Sequence, residues 1–244
     1  MKEYTADTYG ERAASVYDEW HQDFESAAID VLSQLAGEGK ALELGIGSGR
    51  IALPLAERGV QVQGIDNAAA MIARLREKPA GERIEVSIGD FAQVNVQGEF
   101  ALVYVVFNTF FMLLTQEAQV RCFRNVAAHL APGGSFLIEA FVPDLKRFDG
   151  EQTNRVTSVG LDYLEMDVSQ HERADQRVFG HKVVVRDGRM HLYPIQIRYV
   201  WPSEMDLMAQ LAGLRLRERW SDWKRSPFTS QSGKHISLYE SAPS

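Results

Sequence analysis

Residues Ala41–Gly49 read ALELGIGSG, and Asp66 ends the run VQVQGID seventeen positions after Gly49. An apolar run that stops in glycines at alternate positions predicts a buried strand turning sharply into a helix, with room for a ligand at the turn. Gly45, Gly47 and Gly49 form that turn. Glycine accepts positive φ and lets another group reach the backbone, which is how such loops meet nucleotide-like ligands. Outward from the turn, strands Ala41–Ile46, Val60–Ile65 and Ile84–Ile88 alternate with helices Arg50–Arg58 and Ala68–Glu77. That alternation predicts a parallel sheet with right-handed crossovers. Pro54 falls near the first turns of its helix, where a missing N–H costs little.

Ala101–Val106 is apolar throughout, as a strand buried on both faces requires, and Gln116–Leu130 carries helical spacing that Pro132-Gly133-Gly134 is expected to end. Ser135–Phe141 is the next strand. Before the first strand, Ala13, Val16, Tyr17, Trp20 and Phe24 form one helical stripe, and Ala28, Val31, Leu32 and Leu35 form a second that runs to Gly37. Beyond Pro143 the runs Val156–Val168 and Val178–Trp201 are rich in β-branched and aromatic residues, with an Asp187-Gly188 hairpin signal, and predict an antiparallel meander. Ile195, Ile197, Tyr199 and Trp201 share one strand face, with Gln196 and Arg198 on the other. Ser203–Asp206 reads as a capping box opening a helix to Ala212, stopped by Gly213, and Ile236–Glu240 is a last strand.

With 244 residues, 45% hydrophobic and 24% charged, the chain suffices for one well-buried domain with an elaboration. A net charge of −7 without a Lys/Arg cluster weighs against a nucleic-acid partner. The single Cys122 excludes an internal disulfide and reads as core filler. No signal-peptide core opens the chain, and the apolar tract Phe100–Leu114 is interrupted by Asn108 and Thr109, so a cytoplasmic protein without a membrane segment is expected. No Asp/Glu/His spacing compels a metal site.

A dinucleotide fingerprint needs glycine at the sixth place of GxGxxG, and counted from Gly45 that place is Arg50. The pattern present is ExGxGxG from Glu43. With GID at Gly64–Asp66, IGDF at Ile88–Phe91 and LAPGGSFLIE at Leu130–Glu139, the chain resembles the class I S-adenosylmethionine-dependent methyltransferases over about residues 40–142. The resemblance implies an α/β fold: a Rossmann-like seven-stranded methyltransferase sheet with helices on both faces, closed by an antiparallel strand that His235–Glu240 resembles. The material between Pro143 and Tyr199 then becomes an antiparallel β insertion over the active site. The segments expected are an N-terminal helical lid (1–38), an S-adenosylmethionine-binding core (39–142), the insertion (143–199) and a C-terminal completion of the sheet (200–244).

The implied cofactor is S-adenosyl-L-methionine, leaving as S-adenosyl-L-homocysteine. In open α/β sheets ligands sit beyond the carboxyl ends of the strands, where all four signals end. Gly45 and Gly47, with Gly49, would lie against the methionine and ribose portions. Asp66, an acceptor-only group, suits two ribose hydroxyls, and Asn67 follows it. Asp90 would accept from the adenine amino group and Phe91 touch the ring, or Asp90 caps a turn. Glu43, inside a strand, requires backbone donors or the methionine ammonium. Asn108 faces the methionine end or the methyl acceptor, or caps the next helix. Met71 and Phe107 read as pocket walls, and Tyr9 and Tyr17 resemble the lid segment of small-molecule members.

Methyl transfer from a sulfonium is an in-line displacement in which alignment supplies much of the rate, and a general base matters for a phenol or alcohol acceptor. His171, His191 and His21 are the candidate bases, followed by His235, Tyr17 and Glu139. Trp201, Trp220, Trp223 and Phe228 line an apolar acceptor cavity or form the core of the insertion. A similar insert in bacterial nucleotide-aminosugar N-methyltransferases shapes the sugar site and supports dimerisation. The expected reaction is metal-independent methylation of a small molecule at O, N or C, with a homodimer formed through the insertion. A nicotinamide-dependent oxidoreductase and a non-catalytic binding protein on the same fold are the alternatives.

Overall fold

Apolar strands alternate with one-sided helices along most of the chain. The computed structural model describes residues 3–21, 25–93 and 95–242; Phe24 lies outside them. Helices α1 (Thr8–Trp20) and α2 (Ser26–Ala36) precede β1 (Lys40–Leu44), α3 (Ala52–Glu57), β2 (Gln61–Asp66), α4 (Ala69–Arg76), β3 (Glu85–Ile88), β4 (Phe100–Val105), α5 (Gln116–His129) and β5 (Leu130–Phe141). Four long strands follow, β6 (Gln152–Val159), β7 (Tyr163–Glu172), β8 (Arg177–Arg186) and β9 (Arg189–Arg198), then α6 (Pro202–Leu211), β10 (Leu214–Trp220) and β11 (Lys234–Ser241).

Two sheets result: seven strands ordered β10-β11-β5-β4-β1-β2-β3, and an antiparallel set ordered β6-β7-β8-β9. In the first, β1 to β5 run parallel and β11 inserts antiparallel between β5 and β10. This is the α/β Rossmann-like methyltransferase architecture. Its central strands β1 and β4 are almost wholly buried, with Leu42, Leu44, Val103 and Val105 fully inaccessible. Pro54 is the third residue of α3, within the first turn, where no intrahelical N–H bond is made in any case.

Several local expectations change. Pro132-Gly133-Gly134 does not follow the end of α5 as a breaker but lies inside β5, at an irregularity in its pairing with β4. Gly134 permits it, since a Cβ there would stand 2.7 Å from the Phe100 carbonyl oxygen. Helix α6 starts at Pro202 with no side-chain cap, so Ser203 is not its N-cap; proline at the first helical position is pre-set in φ and has no N–H to satisfy. The run Val156–Val168 is two strands separated by a turn at 160–162. Strand β10, LRLRERW, went unread because its arginines mask an edge strand.

Trp201 is 40% exposed, and Arg198, expected on the outer face, is 6% exposed. The reversal has a cause. Arg198 donates to Gln119 Oε1 (2.5 Å), Glu204 Oε1 (2.8 Å) and Gln176 Oε1 (3.1 Å), and the Arg198 carbonyl accepts from Gln119 Nε2 (3.0 Å). One guanidinium thus ties the end of β9 to α5 and α6. Arg198→Met takes the counter-charge from Glu204, which keeps only the neutral donors Gln116 and Gln176, and leaves Gln119 Oε1 without its donor; it is expected to cost about 3 kcal/mol, read as a lower urea midpoint at unchanged m-value.

Candidate functional site

The turn after β1 holds positive φ at Gly45 (73°), Gly47 (55°) and Gly49 (77°). A Cβ on Gly45 would collide with Thr109, and one on Gly47 would stand 3.1 Å from Met71 Cε, so both positions leave bare backbone at the strand ends. Gly49 serves a different purpose. A Cβ there would overlap Leu75, and it packs the loop on α4 without lining the cleft.

The cleft opens at the carboxyl ends of β1, β2 and β3. Gly45 and Gly47 form one wall, Asp66, Asn67 and Met71 the next, and Asp90 with Phe91 the far end. Tyr9 and Tyr17 of α1 close it from above. Nine of the thirteen residues expected from sequence therefore meet in one cavity. Ala6, Gly10, Ala68, Thr109, Met112 and Leu113 complete it and escaped the sequence reading. Gly10 was detectable as a glycine beside an amphipathic stripe: a Cβ there would overlap Ala68, so it brings α1 onto the start of α4.

Asp66 is 9% exposed, and its two oxygens accept from Gly47 N–H (2.7 Å) and Ala68 N–H (2.9 Å). Burial raises its carboxyl from the ordinary value, against these backbone donors. A carboxylate has about four acceptor positions, so Asp66 keeps about two for a ligand in the cleft. Asp90 Oδ1 accepts from Ala92 N–H (2.8 Å), the turn-capping role, while the residue also lines the cleft. Glu43 lies beneath the loop, 3% exposed, and accepts from the Tyr104 hydroxyl (3.0 Å). Tyr104 faces it in register on β4, a signal available in sequence because a phenol in an apolar central strand needs a partner.

Helix α1 is fastened on both sides. Glu11 accepts from Ala70 N–H (2.9 Å), and Asp18 accepts from Ser48 Oγ (2.6 Å) and Lys78 Nζ (2.9 Å). Toward the second sheet, Trp20 meets Tyr193 edge-on (4.6 Å between centroids), and Glu19 pairs with Arg186 (2.9 Å). The Arg50 guanidinium lies 3.4 Å from the centroid of the Phe107 ring and donates to the Tyr17 hydroxyl (3.5 Å).

Phe107 and Asn108 do not line this cleft; they line a neighbouring cavity with Glu139, Phe141, Trp223 and Lys234. Asn108 Oδ1 accepts from Phe141 N–H (2.7 Å) and makes no side-chain cap on the following 3-10 turn, Thr109–Met112. The histidines are scattered. His171 is buried against Tyr199 (2.8 Å, Nε2 to the hydroxyl) and stacked on Phe148, in a separate cavity. His191 is exposed on β9. His21 sits 4.6 Å from the Tyr17 ring, pushed down to about 4 by burial and then by Arg50 and Lys182. His235 is fully buried with Nδ1 on Ser237 Oγ (2.8 Å). Among the described residues no group of three His, Cys, Asp or Glu is placed to hold a metal, and no helix is long and apolar enough to cross a membrane.

A family model described as "Methyltransferase domain" matches residues 41–134. The chain superposes on the CcbJ methyltransferase from Streptomyces caelestis with a TM-score of 0.92 and 34% identity, over 98% of this chain and 100% of that one. The cypemycin N-terminal methyltransferase of a Streptomyces species is 26% identical over 200 residues, 82% of each protein. The fold also matches S-adenosylmethionine-bound CalS10, an amino pentose methyltransferase from Micromonospora echinaspora, at a TM-score of 0.68 and 20% identity, over 98% of each chain. With the glycine turn, the Asp66 carboxylate and the capped cleft in place, the chain belongs to the class I S-adenosylmethionine-dependent methyltransferases. The cleft fits that cofactor: two glycines leave bare backbone beside Met71 and Thr109, and a buried carboxylate keeps acceptor positions beside them.

Burial pushes the Glu43 carboxyl up to about 8, against the Tyr104 bond and Arg50. Between about pH 4.5 and 8 the folded protein therefore holds a proton that the unfolded chain has released, and stability contributed by this group falls as pH rises through that window. Glu43→Gln is expected to remove that slope, at most about 1.4 kcal/mol per pH unit, in urea titrations between pH 5 and 8.5. His235, pushed down to about 3 by burial, acts in the opposite sense: the unfolded chain binds its proton first, so its contribution is lost as pH falls below about 6.5.

Proposed function

We propose that the protein transfers a methyl group from S-adenosylmethionine to a small-molecule acceptor by in-line displacement, without a metal. The observation that carries this reading is the convergence of Gly45, Gly47, Asp66, Asp90 and Phe91 with Tyr9 and Tyr17 in one capped cleft. When bound, the cofactor supplies an electrophilic methyl group on a positively charged sulfur. Asp66 accepts from the ribose hydroxyls with the positions left free by Gly47 and Ala68. Asp90 accepts from the adenine amino group while its other oxygen holds the turn, and Phe91 and Met71 wall the ring. Glu43, beneath the loop, places a carboxyl near the methionine end.

Tyr9 and Tyr17 serve as the lid. Burial raises both phenols, so each hydroxyl stays protonated and donates into a site from which α1 excludes water. Residues 1–38, 39–142, 143–199 and 200–244 then act as lid, cofactor core, substrate cap and sheet completion. None of His21, His171 and His191 lines the cofactor cleft, which leaves alignment rather than a histidine base as the main source of rate.

The second sheet supplies the dimer contact in this reading. Alternate residues on the face turned from α1, including Leu164, Met166, Val185, Met190 and Leu192, form an apolar surface on which Met190 is 67% and Leu192 45% exposed. Met190→Asp with Leu192→Asp is expected to convert a dimer to a monomer in light scattering; a wild-type monomer at all concentrations would refute the contact.

Calorimetric titration tests the cofactor assignment. S-adenosylhomocysteine should bind and NADH should not. Asp66→Ala and Asp90→Ala should each weaken S-adenosylhomocysteine by about 1–3 kcal/mol without loss of the folded baseline. Unchanged affinity in both variants would overturn the placement of ribose and adenine.

A further inference from the structure

The turn after β4 is the shared wall of two cavities. Thr109 lines the cofactor cleft, and Phe107 and Asn108 line the cavity beside it. Both Phe107 (φ 55°) and Asn108 (φ 65°) lie in the left-handed region, and two successive non-glycine residues there mark a backbone held against its preference. The floor of the second cavity is Glu139, 6% exposed. It accepts from Phe107 N–H (3.2 Å), Trp223 Nε1 (3.0 Å) and Lys234 Nζ (3.3 Å), which uses three of about four acceptor positions of a carboxylate. Glu25 at the rim accepts from the same Lys234 nitrogen (2.8 Å). The walls are the rings of Phe107, Phe141 and Trp223.

We propose that this second cavity is the methyl-acceptor site and that it takes a primary or secondary amine carried on an apolar body. The inference rests on the reading in which the adjacent cleft holds S-adenosylmethionine. Three features select the amine. Among the described lining residues two carboxylates, Glu25 and Glu139, face one ammonium, Lys234, which favours a cation over a neutral or anionic group beside them. Aromatic faces hold an ammonium and its alkyl substituents together. Among the described residues no histidine or tyrosine lines the cavity, and both carboxylates are tied to Lys234, Glu139 with two further donors, so neither is a free base for an alcohol or phenol, whereas a neutral amine attacks without one. The bound ammonium first gives one proton to water; the freed nitrogen lone pair then forms the new N–C bond as the methyl–sulfur bond breaks and its electron pair stays on sulfur, so the positive charge passes from the sulfonium to the methylated nitrogen. Glu139, with its remaining acceptor position, and the aromatic walls orient that nitrogen.

The test uses full-length protein saturated with S-adenosylhomocysteine and labelled with 15N at the indole nitrogens of its four tryptophans. The Trp223 resonance is identified by its absence in Trp223→Phe. Benzylamine and N-methylbenzylamine should shift the Trp223 signal saturably, and benzyl alcohol should bind at least tenfold more weakly. Glu139→Gln should weaken the amines tenfold or more while S-adenosylhomocysteine affinity stays within twofold. Phe141→Leu, which leaves every Glu139 bond in place, should weaken them about threefold and decides the matter if Glu139→Gln fails to fold. Equal binding of the alcohol, no shift at Trp223, or amine affinity unchanged in both variants overturns the assignment. Failure of S-adenosylhomocysteine to bind wild type overturns instead the cofactor reading on which it rests, and is seen before any amine is added.

Discussion

The bond from Gly47 N–H to Asp66 is the constraint on which the site depends. It joins the turn after β1 to the end of β2, and the other Asp66 oxygen holds Ala68 at the start of α4. Both loops are thereby fixed relative to one carboxylate that is itself nearly buried. Helix α1 then docks on this assembled corner through Glu11 to Ala70 and Asp18 to Ser48. A carboxylate in a low-dielectric position is unfavourable unless donors surround it, and here the donors are backbone groups that cannot be mutated away. The geometry of the cofactor cleft therefore follows from local chain connectivity more than from side-chain choice.

That locality explains what was legible in the sequence. The units from β1 to β3 repeat a short strand and a helix, each with its own periodicity and its own glycine or acidic stop, and they fold as the pattern predicts. Readings failed where a distant partner decides. Arg198 reads as an outward residue until Gln119 and Glu204 are known to lie above it. Pro132-Gly133-Gly134 reads as a helix stop, yet its place is set by the Phe100 carbonyl across the sheet. The edge strand β10 is polar on alternate positions, and only its pairing with β11 makes it a strand.

The same distinction holds within the site. Residues that end strands, Asp66 and Asp90 among them, line the cleft because strand order fixes where their loops converge. Asn108 was ambiguous between ligand, acceptor and helix cap, since all three use the same amide. The structure gives its oxygen to Phe141 N–H, a contact between strand ends that no local pattern reveals. Histidine needs geometry for a related reason: the residue is often a satisfied structural partner. His171 and His235 are both of that kind, bonded to Tyr199 and Ser237.

Glu139 holds the turn that stands between the two cavities. Left-handed backbone at Phe107 and Asn108 costs on the order of 1–3 kcal/mol for each residue, less for asparagine, which tolerates that region. Three bonds to β5 oppose the cost: Phe107 N–H to the Glu139 carboxylate, Asn108 N–H to the Glu139 carbonyl (3.2 Å), and Phe141 N–H to the Asn108 side chain. At about 1 kcal/mol each, and more for the charged one, these bonds match the strain in size. The turn is thus held by the same residue that floors the second cavity. The backbone half of this hold, Asn108 N–H to the Glu139 carbonyl, does not depend on the carboxylate, so the turn that presents Thr109 to the cofactor cleft is kept in place by the β5 main chain as well as by the side chain.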